Sequence, residues 1–244
     1  MLKLHSVSKN YGKFSALENL SLHAEDGKIT GILGPNGAGK TTALRILYGL
    51  LAADSGFAMI DDINVATDAL LARQHIGLFP DKFADYERLT AREQIVFFAK
   101  LHGLRGRDLN QKVDSVINTL QMHDYAQRKS VGFSQGQRMK LTLAQALIHQ
   151  PKNLILDEPT RGLDVMSTRL LRDHLRTLKD QGHCILFSSH VMQEVAALCD
   201  TVYLLAKGKI VAHGSPQDLC EQTGEANFED AFVKLIGSDE GIAA

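Results

Sequence analysis

The 244 residues are 44% hydrophobic, and 27 Lys plus Arg against 28 Asp plus Glu leave a formal net charge of -1. That is enough apolar material for one large core or two closely packed lobes, which excludes a disordered chain. The missing basic excess argues against nucleic acid as a partner. Cys184, Cys199 and Cys220 are odd in number and far apart, with no C-x-x-C pair, so they read as reduced packing residues and not as a disulfide framework or zinc site.

The opening MLKLHSVSKN lacks the continuous apolar run of a signal peptide and is expected to remain in the mature protein. No run approaches the roughly 20 apolar residues that cross a bilayer, so membrane attachment is expected through a partner. Residues 2–7 alternate like a half-buried strand, and the apolar run 29–33 leads directly into GPNGAGKTT. Leu44, Leu47, Tyr48 and Leu51 then recur at helical spacing, giving strand, loop, helix. Further strands are predicted at 57–60, 76–79, 154–156, 184–187 and 202–205, alternating with helices as in a largely parallel, helix-covered sheet.

The middle third differs. Thr90 with Glu93, and Ser134 with Gln137, are capping boxes opening two helices, the second through Ile148, and residues 105–108 read as a turn between helical stretches. A long helix follows Asp164 and closes near Gly182, and residues 227–237 suit a short amphipathic helix. The expected organisation is a core lobe of residues 1–80 and 151–220, a helical subdomain at 81–150, and a C-terminal segment at 221–244.

Gly34, Pro35, Asn36, Gly37, Ala38, Gly39, Lys40 and Thr41 fit G-x-x-x-x-G-K-[ST], with Thr42 next. Glycines let backbone amides curl around phosphate oxygens, the helix N-terminus favours the anion, Lys40 reaches the outer phosphates, and the Thr41 hydroxyl can ligate Mg²⁺. The strand LIL ends in Asp157 and Glu158, where one carboxylate can hold the metal and the next can polarise an attacking water. Alone, such a pair is an ordinary solvated turn; beside a phosphate loop it becomes a catalytic candidate.

These motifs, with FSQGQ at 133–137 between them, resemble the ATP-binding cassette (ABC) family over nearly the whole chain. The resemblance implies a P-loop α/β fold: a mostly parallel sheet core, N-terminal antiparallel strands and a helical subdomain insertion. It implies ATP and Mg²⁺ as cofactors, with ATP sandwiched between two copies, so that Ser134, Gly136 and Gln137 of one chain face the phosphate loop of the other. By the same resemblance Tyr11 stacks on adenine, His190 contacts the γ-phosphate and Glu158, and Gly162-Leu163-Asp164 crosses the dimer seam. Asp81 stands where the family usually has Gln, as a metal or water ligand; Phe133, Gln135 and Arg161 are further departures. GQRMK and LDVMSTR look like the bacterial sodium-exporter ATPase subunits, near drug and lipid exporters.

The expected partners are a second ATPase subunit and a transmembrane permease, which places the chain on the cytoplasmic face of the membrane. A soluble ABC-type ATPase uncoupled from transport is the alternative. Docking is expected across residues 81–100, through Phe83 and Tyr86, with Phe97 and Phe98 in the core.

Overall fold

The computed structural model describes residues 1–81 and 86–237. Strand β1 (Leu2–Tyr11) turns through Gly12 and Lys13 into β2 (Phe14–Ala24), and β3 (Ile29–Leu33) ends at the glycine loop that opens α1 (Lys40–Leu47). After β4 (Ser55–Ile60), β5 (Ile63–Asn64), α2 (Ala69–Gln74) and β6 (Ile76–Phe79) come three helices, α3 (Ala91–Leu101), α4 (Gly106–Thr119) and α5 (Gln135–Leu147). The chain then returns to β7 (Asn153–Asp157), α6 (Val165–Asp180), β8 (Cys184–Ser189), α7 (Met192–Leu198), β9 (Thr201–Ala206) and β10 (Lys209–Gly214), and closes with α8 (Pro216–Thr223) and α9 (Phe228–Ile236).

One sheet is antiparallel, in the order β2-β1-β4-β5; the other runs β10-β9-β3-β8-β7-β6, with all pairs parallel except β10 on β9. The central strands β3, β7 and β8 are buried at every position, which is why they read as unbroken apolar runs. Their side chains divide at period two. Ile29, Leu33, Leu154, Leu156, Ile185 and Phe187 join the helix-side core, while Ile32, Ile155 and Leu186 join a second core with Leu2, Leu4, Leu17 and Leu44 beneath the antiparallel sheet. Parallel pairing also brings strand C-termini to one edge: Leu33 faces Ser189, Asp157 faces Ser188, and Phe79 faces Leu156. That edge carries the site.

Both capping boxes form, Thr90 with Glu93 and Ser134 with Gln137. Asp164 caps α6, and α9 lies between cap residues Asn227 and Gly237, packed through Phe228, Ala231 and Phe232. Three expectations change. Residues 106–108 are the first turn of α4, because Leu109, Val113, Val116 and Ile117 form a buried helical stripe that draws in the preceding glycine. β1 runs on to Tyr11, past the alternating residues 2–7, with register shifts against β2 and Ser6 at φ 49° breaking its alternation. Phe97 is 39% exposed, because Ala91, Gln94, Ile95 and Ala99 occupy the buried face of α3. The core position goes to Gln94, whose amide donates to Ser130 Oγ at 2.8 Å.

Candidate functional site

The loop between β3 and α1 needs glycine where the chain passes under other backbone. A Cβ on Gly34 would lie 2.1 Å from the Leu205 carbonyl oxygen, and one on Gly39, at φ 109°, would lie 2.6 Å from that of Ala16. Pro35, Asn36, Gly37, Ala38, Thr41 and Thr42 line the same cavity of about 600 Å³. Lys40 is buried, and its Nζ donates to the carbonyls of Gly34 at 2.7 Å and Pro35 at 3.3 Å. It also sits 3.4 Å from Glu158 Oε1. The loop's own carbonyls thus hold the ammonium at the point where an anion enters.

Asp157 is 4% exposed and accepts from Ser188 Oγ at 2.6 Å and Thr41 Oγ1 at 3.4 Å. Burial pushes its carboxyl above the usual carboxylate range, helped by the charges of Asp81 and Glu158 and opposed by the two hydroxyl bonds. A divalent cation beside Asp157 and Thr41 would relieve that penalty. Among the described residues no cluster of three His, Cys, Asp or Glu can cage a metal. The oxygen donors present, the Asp157 carboxylate and the Thr41 hydroxyl, fit Mg²⁺, which takes few protein ligands and completes its shell with phosphate and water oxygens.

Glu158 adopts φ 50°, a left-handed conformation costing on the order of 1 kcal/mol in a non-glycine residue. Its backbone N–H donates to Ser188 Oγ at 3.1 Å, which anchors the turn. The side chain is 10% exposed and reaches the cavity, accepting from His190 Nδ1 at 2.6 Å. Asp81, just beyond β6, is bound by Arg161 at 2.8 Å, and both line the cavity. Tyr11 and Phe14, 50% and 62% exposed, form its opposite rim as a cross-strand pair at the end of the β1–β2 hairpin.

Ser134, Gly136 and Gln137 stand apart from this cavity. They line a separate recess of about 180 Å³ with Tyr125 and Ser167. Ser134 Oγ accepts from Gln137 N at 3.2 Å, and a Cβ on Gly136 would lie 2.5 Å from Ser167 Oγ, so the start of α5 sits tightly on α6. One chain thus brings the phosphate loop, Asp157, Glu158, His190, Asp81 and Tyr11 together and leaves the FSQGQ segment outside.

Sequence reasoning missed Phe14, Ser188 and the Arg161 partnership. Phe14 was discoverable, since a two-residue turn after Tyr11 puts it across the hairpin. Ser188 and Arg161 follow only from the parallel register and the turn after β7.

The ABC transporter family model matches residues 17–161. The ABC transporter ATP-binding protein NatA of Bacillus subtilis is 39% identical over 222 residues, which is 91% of this chain and 90% of that protein. A solved ATP-binding subunit of an ABC transporter superposes with TM-score 0.88 at 25% identity, covering 97% of this chain and all of that one. A dimeric ATP-binding cassette in a post-hydrolysis state with ADP and Pi superposes with TM-score 0.79 at 24% identity, over 88% of this chain and 98% of that one, a likeness of fold. With a cavity built by a phosphate loop and two acidic residues at the edge of a parallel sheet, this chain belongs to the ABC transporter family as an ATP-binding protein and ATPase.

Proposed function

We propose that this chain binds Mg-ATP, dimerises around it, and hydrolyses it to drive a separate transmembrane permease, in the manner of an exporter ATPase for sodium, drugs or lipids. The observation that carries this reading is the division of motifs: the phosphate loop and carboxylates share one cavity, while Ser134, Gly136 and Gln137 lie on another surface. A second copy supplying that surface would complete the site, with the positive end of α5 aimed at the phosphates.

In this reading Lys40 exchanges its loop carbonyls for phosphate oxygens, and the backbone amides of residues 36–41 cradle the anion. Thr41 and Asp157 would hold Mg²⁺, which supplies charge neutralisation for phosphoryl transfer. Asp81 stands near enough to serve as a further ligand or to orient water. Glu158 orients and deprotonates the attacking water: His190 is bound to Oε2, and Oε1, 3.4 Å from Lys40 Nζ, turns to the water once Lys40 takes up phosphate. Tyr11 stacks on the base, and Phe14 beside it adds a second aromatic surface.

No helix among the described residues is long and apolar enough to cross a membrane, so transport requires a partner. We place docking at the junction of β6 and the helical subdomain of residues 81–150. A largely apolar cavity of about 420 Å³ there is lined by Leu50, Leu78, Pro80 and Phe98, and Tyr86 packs edge-on against Phe97 nearby. Phe83, the other expected contact, lies outside the described residues. The chain would then sit on the cytoplasmic face of the membrane.

The decisive variant is Glu158→Gln. Losing the proposed base is worth about 10²–10⁴-fold in turnover, while ATP binding and ATP-dependent dimerisation should persist. Steady-state hydrolysis and light scattering measure both. Wild-type turnover in the variant would remove Glu158 from the mechanism.

A further inference from the structure

Three carboxylates stand at or beside the phosphate cavity, and each has different partners. Asp157 is buried under two hydroxyls, Glu158 is bound by His190 with Lys40 at 3.4 Å, and Asp81 has the guanidinium of Arg161 at 2.8 Å. The last pair spans 80 residues, joining the end of β6 to the turn that follows Glu158. Arg161 N donates to the Glu158 carbonyl at 3.1 Å, so the guanidinium rides on the same turn that aims Glu158. The side chain of Arg161 is 64% exposed and that of Asp81 27%, so the pair lines the cavity without being locked into the core.

An unpaired carboxylate there would repel an entering polyphosphate, and one already paired cannot ligate a metal with the same oxygen. We propose that Arg161 is a positioning residue, a counter-ion that holds Asp81 away from the phosphates until the carboxylate trades the guanidinium for the nucleotide's divalent metal. This rests on the Mg-ATP reading above.

Binding of a fluorescent ATP analogue tests this without catalysis, titrated in EDTA and then against free Mg²⁺. Arg161→Ala should weaken metal-free binding about fivefold, because Asp81 is left unpaired, and should lower the half-saturating Mg²⁺ about threefold, because Asp81 no longer gives up a partner; both are sizes expected of a partly exposed ion pair. Arg161→Lys should keep both properties near wild type. In an Asp81→Asn background, Arg161→Ala should change neither. If Arg161→Ala weakens binding equally in the wild-type and Asp81→Asn backgrounds and leaves the Mg²⁺ titration unmoved, the guanidinium touches phosphate directly and the proposal fails. No change in either titration also overturns it. A wild-type chain that binds no nucleotide, like a Lys40→Ala control, would instead sink the ATP reading itself.

Discussion

His149 is the group through which acid should loosen the junction between the sheet and the helices. Its ring stacks on His102 at 3.6 Å and 2°, its Nε2 donates to the Ile76 carbonyl at 2.9 Å, and its Nδ1 is buried with no hydrogen-bond partner among the described residues. Burial, aided by the nearby charges of His102 and Lys112 and opposed by the Ile76 bond, pushes it from 6.5 down to about 4. Burial lowers His102 as well, so the stack excludes charge. The folded state therefore binds fewer protons than the unfolded one between the two values, and stability falls as pH drops through 6.5 and levels off near 4. A shift of that size corresponds to about 2 kcal/mol lost between pH 7.5 and 5, discounted to about 1 kcal/mol for partial exposure. That is about 2–4 °C in Tm. Thermal unfolding of wild type and His149→Gln across this range isolates the effect, because glutamine can keep the Ile76 bond without titrating. The wild-type slope should exceed the variant's by that amount, and equal slopes would refute the assignment.

Asp81→Ala should raise the Mg²⁺ needed for half-maximal ATPase severalfold while changing nucleotide affinity less, read from parallel metal and nucleotide titrations; unchanged metal dependence would leave Asp81 a surface acid. Phe83→Asp with Tyr86→Asp should abolish co-purification with a co-expressed transmembrane permease while ATP binding persists. Full retention would move the docking surface elsewhere, and a wild-type chain that captures no membrane protein would favour the uncoupled ATPase.

Features fixed by neighbours in the chain are legible in the sequence. β6 falls at 76–79 because an apolar run stops at Pro80, and the helix starts at Thr90 and Ser134 follow from side chains three residues apart. The site was legible where a motif is contiguous, as in residues 34–41. It was illegible where register decides. Asp157 meets Ser188 only because β7 and β8 pair in parallel, and Asp81 meets Arg161 across 80 residues. Phe97 misled for another reason: its apolar character suggested the core, but helical spacing gave that face to Gln94, satisfied by Ser130. Hydrophobicity alone does not choose the face; the period does.

The claim that two chains share each ATP site is tested most directly by mixing two inactive variants. Ser134→Arg places bulk and charge on the exposed start of α5, outside the core, and Lys40→Ala disables the phosphate loop. A heterodimer of the two has one site with both defects and one with neither. Equal mixing should therefore restore about a quarter of wild-type ATPase, since half the dimers are mixed and each of those keeps one site of two. Activity no greater than that of either variant alone, with mixed dimers present by cross-linking, would contradict the shared site.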